Sequence, residues 1–418
     1  MKLRFLGACR QVGRSQLEVD CGGLSLLVDS GTASKGERFP LLPSREPDAC
    51  IVSHCHLDHS GFLPLFYRKR RFPWLSTFPT VPLASLLWHD VIKVLSSRGE
   101  VPYFSEKEIK EAGKHSVCLP YGEAYEFFDG TAATLFDAGH IVGSSQVLVE
   151  SGSKALLYTG DLNYSDTRNH RKAVVPLKGV DALVLESTYG DRDHPARRDV
   201  ERAFVDAVEE ACEEGNAIVP CFAVGRTQEV LQVLEAHGVK YRVWVDGMGQ
   251  KTCELAADFP SYFRDSRALA RAVGKAGFIE DGRQRRQVAG GRGNVIVTTA
   301  GMLDGGPALS YINYANRAGK GAVLLTGFQV PGTNGAMLVS SGRLRDKGRI
   351  TPISLPVRQF DFSAHSGRRE MVSYVNKVQP RKVFCIHGDE GVCESLAATL
   401  EGEGFDATAP EAGSEFKV

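Results

Sequence analysis

The chain has 418 residues, 43% of them hydrophobic and 24% charged, with 50 basic residues balanced by 50 acidic ones. That length exceeds one core and implies two domains, and the charge balance excludes a uniformly basic nucleic-acid binder. Ten cysteines without a C-x-x-C pair, no run of transmembrane length and no apolar leader after Met1 fit reduced thiols in a cytoplasmic protein without a membrane anchor.

Residues 3–28 read as strands joined by turns, with Gly22-Gly23 between two of them. Asp29 closes the second of these strands. It is either a turn cap or an outer acceptor that fixes the tautomer of a nearby histidine. The apolar run 49–52 predicts a short buried strand, and His54, His56, Asp58 and His59 follow it directly. Donors on a loop at a strand end can converge while the sheet holds them in place. His54 and His56 suit one borderline cation, and Asp58 with His59 suits a second. A lone histidine is more often a loop residue, but four donors at this spacing point to metal. The run Arg68-Lys69-Arg70-Arg71 and the group Arg283, Arg285, Arg286, Arg292 are candidate nucleic-acid contacts, although such runs are usually solvated faces.

Residues 80–115 predict helices carrying His89 and His115, which have no evident partners. A strand over 133–136 leads to His140. A hairpin over 146–158 leads to Asp161, a carboxylate that can bridge two cations. A buried strand over 181–186 ends on Glu186. Beyond Gly190 the pattern alternates. A helix carries Val200, Phe204, Ala207 and Ala211 and stops at Gly215; strands at 217–222 and 241–245 flank a helix at 226–237. Strands at 294–299 and 322–325 flank a helix opened by Pro307. This alternation implies a parallel sheet covered by helices. The glycine-rich stretches 300–306 and 327–333 are candidate phosphate-approach loops, but neither is a nucleotide-binding fingerprint. From about 343 short strands return, bringing His365 within 361–367 and His387 within 382–389. His170, His194 and His237 have no such setting.

With these residues in hand, the chain resembles the metallo-β-lactamase-fold nucleases of the β-CASP family, in particular the archaeal and bacterial enzymes related to the cleavage and polyadenylation endonuclease and to RNase J. Asp29 matches the family's first motif, His54-x-His56-x-Asp58-His59 the second, and His140 and Asp161 the third and fourth. Glu186, His365 and His387 match its motifs A, B and C. Gly13-Arg14-Ser15 and the stretches 222–226 and 301–307 also resemble family signatures.

The resemblance implies an α/β fold: a metallo-β-lactamase αββα sandwich built from residues 1–190 and 343–418, with a β-CASP domain at 191–342. It implies two zinc ions, one on His54, His56 and His140, the other on Asp58, His59 and His387, with Asp161 between them and Asp29 behind the ligands. Asp58, Glu186 and His365 would be catalytic, His365 as general acid held by Glu186. Arg226, Ser363 and Ser366 are further expected substrate contacts. The implied activity is hydrolysis of single-stranded RNA, by endonuclease or 5′-to-3′ exonuclease action, with a homodimer or a larger RNA-processing complex left open. Competing readings are an inactive RNA-binding scaffold, a small-molecule metallohydrolase and a DNA-processing relative; the last is disfavoured by His387. The extra RNA-binding domains of longer relatives are not expected. Gly367 stands where the commonest motif B has Asp, which could loosen the start of the following helix.

Overall fold

Side chains alternate across a strand, so residues two apart share a face. Leu3 and Phe5, Leu17 and Val19, and Leu26 and Val28 share one face, and they pack against Leu135, Val147, Val149, Tyr158, Val184 and Phe384 in one buried core. The two sets come from two seven-stranded sheets. The far face of the second sheet buries Leu157, Leu183, Leu185 and Val383 against Met371, Tyr374, Leu396 and Leu400, which lie on helices Arg368–Val378 and Glu390–Gly402. Outside the first sheet, Trp74 meets Trp88 of helix Thr80–Ser97 with ring centroids 5.9 Å apart. The result is an αββα sandwich.

This computed structural model describes residues 1–33 and 36–418. The chain divides into two units: Met1–Asp166, Arg171–Asp193 and Ala364–Val418 form the first, and Thr167–His170 with His194–Ser363 the second. The second unit is built on a six-stranded sheet in which every strand pair is parallel. One face buries Phe204, Val208, Val230 and Leu234; the other buries Leu303, Tyr311, Ile312 and Leu338. Its helices include Met248–Ala257, Ser266–Lys275 and Gly282–Gly290, none of which the sequence reading anticipated. The reading returns to the first domain at 343. In the structure, Val357–Gln359 pairs in parallel with Ala322–Leu325, so this sheet continues past that point.

Three further readings are corrected. His89 and His115 are not without partners: His89 Nε2 lies 2.8 Å from Glu106, and His115 Nδ1 donates to the Glu111 carbonyl at 2.9 Å. The 68–71 run is largely ion-paired, Arg68 with Glu108, Arg70 with Glu46 and Arg71 with Glu111. The Gly367 helix start is closed without an Asp at 367: Glu370, in the first turn of the same helix, accepts the Gly367 N–H at 3.1 Å, and Asp193 accepts the Arg369 N–H at 2.8 Å. All ten cysteines are free thiols, and burial pushes Cys9, Cys221 and Cys253 up to about 12.

The arrangement of the second sheet gathers the polar residues. Lys154–Tyr158, Ala182–Glu186 and Lys382–Ile386 are neighbouring parallel strands, with Tyr158 opposite Val184 and Glu186 opposite Ile386. Asp161, Glu186 and His387 therefore leave the sheet at one edge, the carboxyl ends of parallel strands where ligands usually bind in such sheets.

Candidate metal centre

Asp29 is fully buried and accepts four hydrogen bonds. They come from the Ser53 N–H at 2.7 Å, Ser53 Oγ at 2.9 Å, Tyr158 hydroxyl at 2.7 Å and His59 Nδ1 at 2.6 Å. A carboxylate is acceptor-only, so His59 carries its proton on Nδ1 and turns Nε2 inward. Ser53 Oγ, having donated to Asp29, accepts from His54 Nδ1 at 3.1 Å and leaves His54 Nε2 inward as well. His140 Nδ1 donates to the Ala364 carbonyl at 2.8 Å with the same consequence. One buried carboxylate and one carbonyl thus fix three imidazoles. Asp29, at φ 60°, and His387, at φ 55°, occupy the left-handed region that residues with side chains rarely use.

The inward atoms crowd together. His56 Nδ1 lies 3.2 Å from His54 Nε2 and 3.3 Å from His140 Nε2. Asp161 Oδ2 lies 3.4 Å from His54 Nε2 and 3.5 Å from His140 Nε2. Donors about 2.0–2.1 Å from a tetrahedral cation stand roughly 3.3–3.4 Å from each other, so this spacing is the edge length of a coordination tetrahedron. Burial is the main influence that lowers His54, His56 (to about 3) and His140, so all three stay neutral with lone pairs available, as ligation requires.

The other carboxylate oxygen, Asp161 Oδ1, lies 3.1 Å from His59 Nε2 and 3.4 Å from His387 Nδ1, and His387 Nε2 lies 3.4 Å from Asp58. His59 Nε2, Asp161 Oδ1 and His387 Nε2 are buried without a hydrogen-bond partner, an arrangement that costs free energy unless something binds there. Burial pulls His59 toward the neutral form, but Asp161, Asp29 and Asp58 together hold it protonated. Three carboxylates around one imidazole call for positive charge, and a cation can supply it in place of that proton. His54, His56, His140 and Asp161 form one group able to hold a metal; His59, Asp161 and His387 form another. His54 also falls with Asp58 and His59, but its contact with Asp161 Oδ2 puts it in the first pocket.

Asp161, Glu186 and His365 form a third close group. Here Glu186 already accepts three hydrogen bonds. Its Oε1 accepts the Leu162 N–H at 2.9 Å and His365 Nδ1 at 2.9 Å, and its Oε2 accepts the Thr188 N–H at 3.0 Å. That environment orients an imidazole rather than coordinating a cation. Burial lowers the His365 pKa, but Glu186 and Asp161 outweigh it and raise it to about 9. The His365 and His140 rings are 4.6 Å apart, so this charged imidazole adjoins the first pocket.

Comparison with known proteins gives the family. Residues 19–181 match the metallo-beta-lactamase superfamily, 227–338 the Beta-Casp domain, and 351–410 a Zn-dependent metallo-hydrolase RNA specificity domain. "Probable RNase MJ4" of Methanocaldococcus jannaschii is 34% identical, the match covering 100% of both chains. The chain belongs to the β-CASP family of metallo-β-lactamase-fold ribonucleases. "RNase aCSPSF2" of Saccharolobus solfataricus is 33% identical over all of this chain and 85% of its own length. "Transcription termination factor FttA" of M. jannaschii is 32% identical over 96% of this chain and 69% of its own. The crystal structure of an Enterococcus faecalis protein of unknown function shares the fold, with a TM-score of 0.64 at 13% identity over 99% of each chain.

In this β-CASP chain the three remaining expected residues fall in different units. Ser366 is fully buried, its Oγ accepting the Tyr164 N–H at 2.8 Å and its own N–H bonding to Leu162, so it braces the loop that follows Asp161. Arg226 opens helix Arg226–Ala236 in the second unit. Ser363 ends that unit and accepts a bond from Arg197 through its carbonyl. Three residues with roles at the centre were missed by sequence reasoning: Ser53, Tyr158 and Ala364. Ser53, adjoining the H-x-H motif, was the most findable. Tyr158 and the Ala364 carbonyl act through tertiary contacts that no spacing announces.

Proposed function

We propose that this metal-dependent protein hydrolyses phosphodiester bonds of single-stranded RNA with two zinc ions, His54, His56 and His140 holding one, Asp58, His59 and His387 the other, and Asp161 one oxygen of each pocket. The division of the two Asp161 oxygens between two sets of histidines is the observation that carries this reading. Zinc suits a donor set of imidazoles and carboxylates at tetrahedral spacing. Bound there, the pair would supply a nucleophile at neutral pH and neutralise phosphate charge. Asp29 and Ser53 keep the histidines in the ligating tautomer. His365, positively charged and held by Glu186, protonates the departing 3′-oxygen. The complete donor set argues against an inactive scaffold, and the parallel second unit exceeds what a small-molecule hydrolase needs. RNA as substrate is supported by the matched RNA specificity domain and by relatives named RNase.

The test is metal analysis of the purified full chain together with cleavage of end-labelled RNA. About two equivalents of zinc per chain are expected, falling in Asp161→Ala, with cutting of single-stranded RNA that EDTA abolishes. Stoichiometric iron would remove the zinc assignment. Equal cutting of single-stranded DNA of the same sequence would remove the preference for RNA.

A further inference from the structure

One exposed aromatic group is tied to the turn that carries the metal ligands without serving the centre. Phe39 is 37% exposed, yet its ring is held by two others, Phe62 at 5.3 Å and Tyr103 at 5.2 Å. Phe62 is buried and rests on Phe66 at 5.2 Å, so the cluster has a fixed floor. The exposed Arg38 places its guanidinium 5.6 Å from the half-buried Tyr103 ring. Aromatic faces with an arginine beside them are the composition that stacks bases of unpaired nucleic acid and attracts the backbone.

Two sets of bonds tie this face to the metal-ligand turn. Arg14, one of the signature residues 13–15 that the centre itself leaves unused, is buried and donates through Nη1 to Glu37 at 2.5 Å and to the Phe39 carbonyl at 3.0 Å. Its neighbour Ser15 donates its N–H to the Asp58 carbonyl at 2.8 Å. From the other side, Thr32 donates its N–H to the Leu57 carbonyl at 2.8 Å, and the Tyr103 hydroxyl meets the Thr32 side chain. The segments that hold the aromatic pair are therefore tied to the backbone at Leu57 and Asp58.

We propose that the exposed Phe39 ring, braced edge-on by Tyr103 and with Arg38 beside it, is a stacking platform for one unpaired base of an RNA strand that runs to the metal centre. This rests on the ribonuclease reading above. Stacking needs only a π-face, so the platform accepts all four bases and sets affinity, not sequence preference. An aromatic platform contributes per base an amount that corresponds to roughly a 5- to 150-fold change in affinity on truncation.

The experiment scans a single abasic nucleotide along a single-stranded RNA and measures KM and kcat for the wild-type protein, Phe39→Leu and Phe39→Trp. In wild type, one abasic position should raise KM several-fold. Phe39→Leu keeps the apolar contact with Phe62 but has no π-face; it should raise KM on intact RNA while erasing the penalty at that one position. Phe39→Trp should restore both. If Phe39→Leu raises KM equally at every position and keeps the wild-type abasic penalty, its role is packing and the platform is overturned. If Phe39→Leu instead changes the oligomeric state in solution and leaves the scan unaltered, the face seats a second copy, which also overturns it. Should the wild type cleave none of the strands, the ribonuclease reading falls and the platform falls with it.

Discussion

His365 donates its Nδ1 proton to Glu186 at 2.9 Å. Two carboxylates outweigh burial and keep the ring positively charged at neutral pH, with a pKa raised to about 9; cations in the adjoining pockets would bring that value down by repulsion. A charged imidazole beside the centre can either contact a phosphate or protonate the leaving 3′-oxygen. A positioned acid contributes about 10²–10⁴-fold, so His365→Ala should lose that much in kcat while retaining metal. An RNA with sulfur as the bridging 3′-atom separates the two roles, because a thiolate departs without a proton. Assayed with zinc, His365→Ala should nearly match wild type on that substrate, and Glu186→Gln should show a weaker rescue. Removing the Glu186 charge also lowers the His365 pKa, so the alkaline decline in rate should move to lower pH in Glu186→Gln. An equal defect on both substrates would assign His365 to phosphate binding.

At Gly31 the segment following Asp29 meets the ligand turn backbone to backbone. A Cβ built on Gly31 would stand 1.7 Å from the Asp58 carbonyl oxygen and 2.7 Å from the His59 nitrogen. Neither contact can be relieved by rotating a side chain. Gly31→Ala should push the turn out of register, cost at least about 1–3 kcal/mol and lower bound metal. Gly23→Ala, with nothing within 4 Å of its Cβ, should change neither. Thermal melting with metal analysis distinguishes the pair, and a fully metallated Gly31→Ala would show that the turn tolerates displacement. At this scale the sequence was largely legible. The strands before the H-x-H motif, the hairpin before Asp161 and the strand ending in Glu186 follow from apolar runs and turn residues, and the structure has them at Ala49–Ile51, Ser145–Ser151 with Lys154–Tyr158, and Ala182–Glu186. What stayed hidden depended on distant partners. The helices between Met248 and Gly290 carry short, interrupted apolar stripes, such as Leu269 and Ala272 among charged neighbours. Asp193 accepts the Arg369 N–H across a sequence gap that no local cap signal reveals, whereas Glu370, three residues after Gly367, was a local signal left unread. His237 and His194 gained carboxylate partners, Glu201 and Asp361, in the same long-range way.

On the scale of the whole molecule, the centre gathers residues from both ends of the chain, from Asp29 to His387, onto one edge of the sandwich. Ligand binding and folding of the first unit are therefore coupled: the donors come together only when both sheets have formed. Without cations, the buried His59 Nε2, Asp161 Oδ1 and His387 Nε2 make no hydrogen bond and rest on ion-pair contacts of 3.1–3.4 Å, a standing cost to the folded state. A ligand present at a thousand times its dissociation constant stabilises the folded state by about 4 kcal/mol. For a unit of this size that corresponds to a shift on the order of 10 °C in Tm. Chelator-stripped protein should melt lower by that amount, and readding zinc should restore it with a dependence on free zinc concentration. Asp161→Asn sharpens the test. It removes the bridging charge with little change in shape, so it should weaken both pockets and shrink the chelator-induced shift, whereas Glu186→Gln, outside both ligand sets, should leave the shift intact. Equal shifts in wild type and Asp161→Asn would mean that the chelated metal lies elsewhere in the molecule.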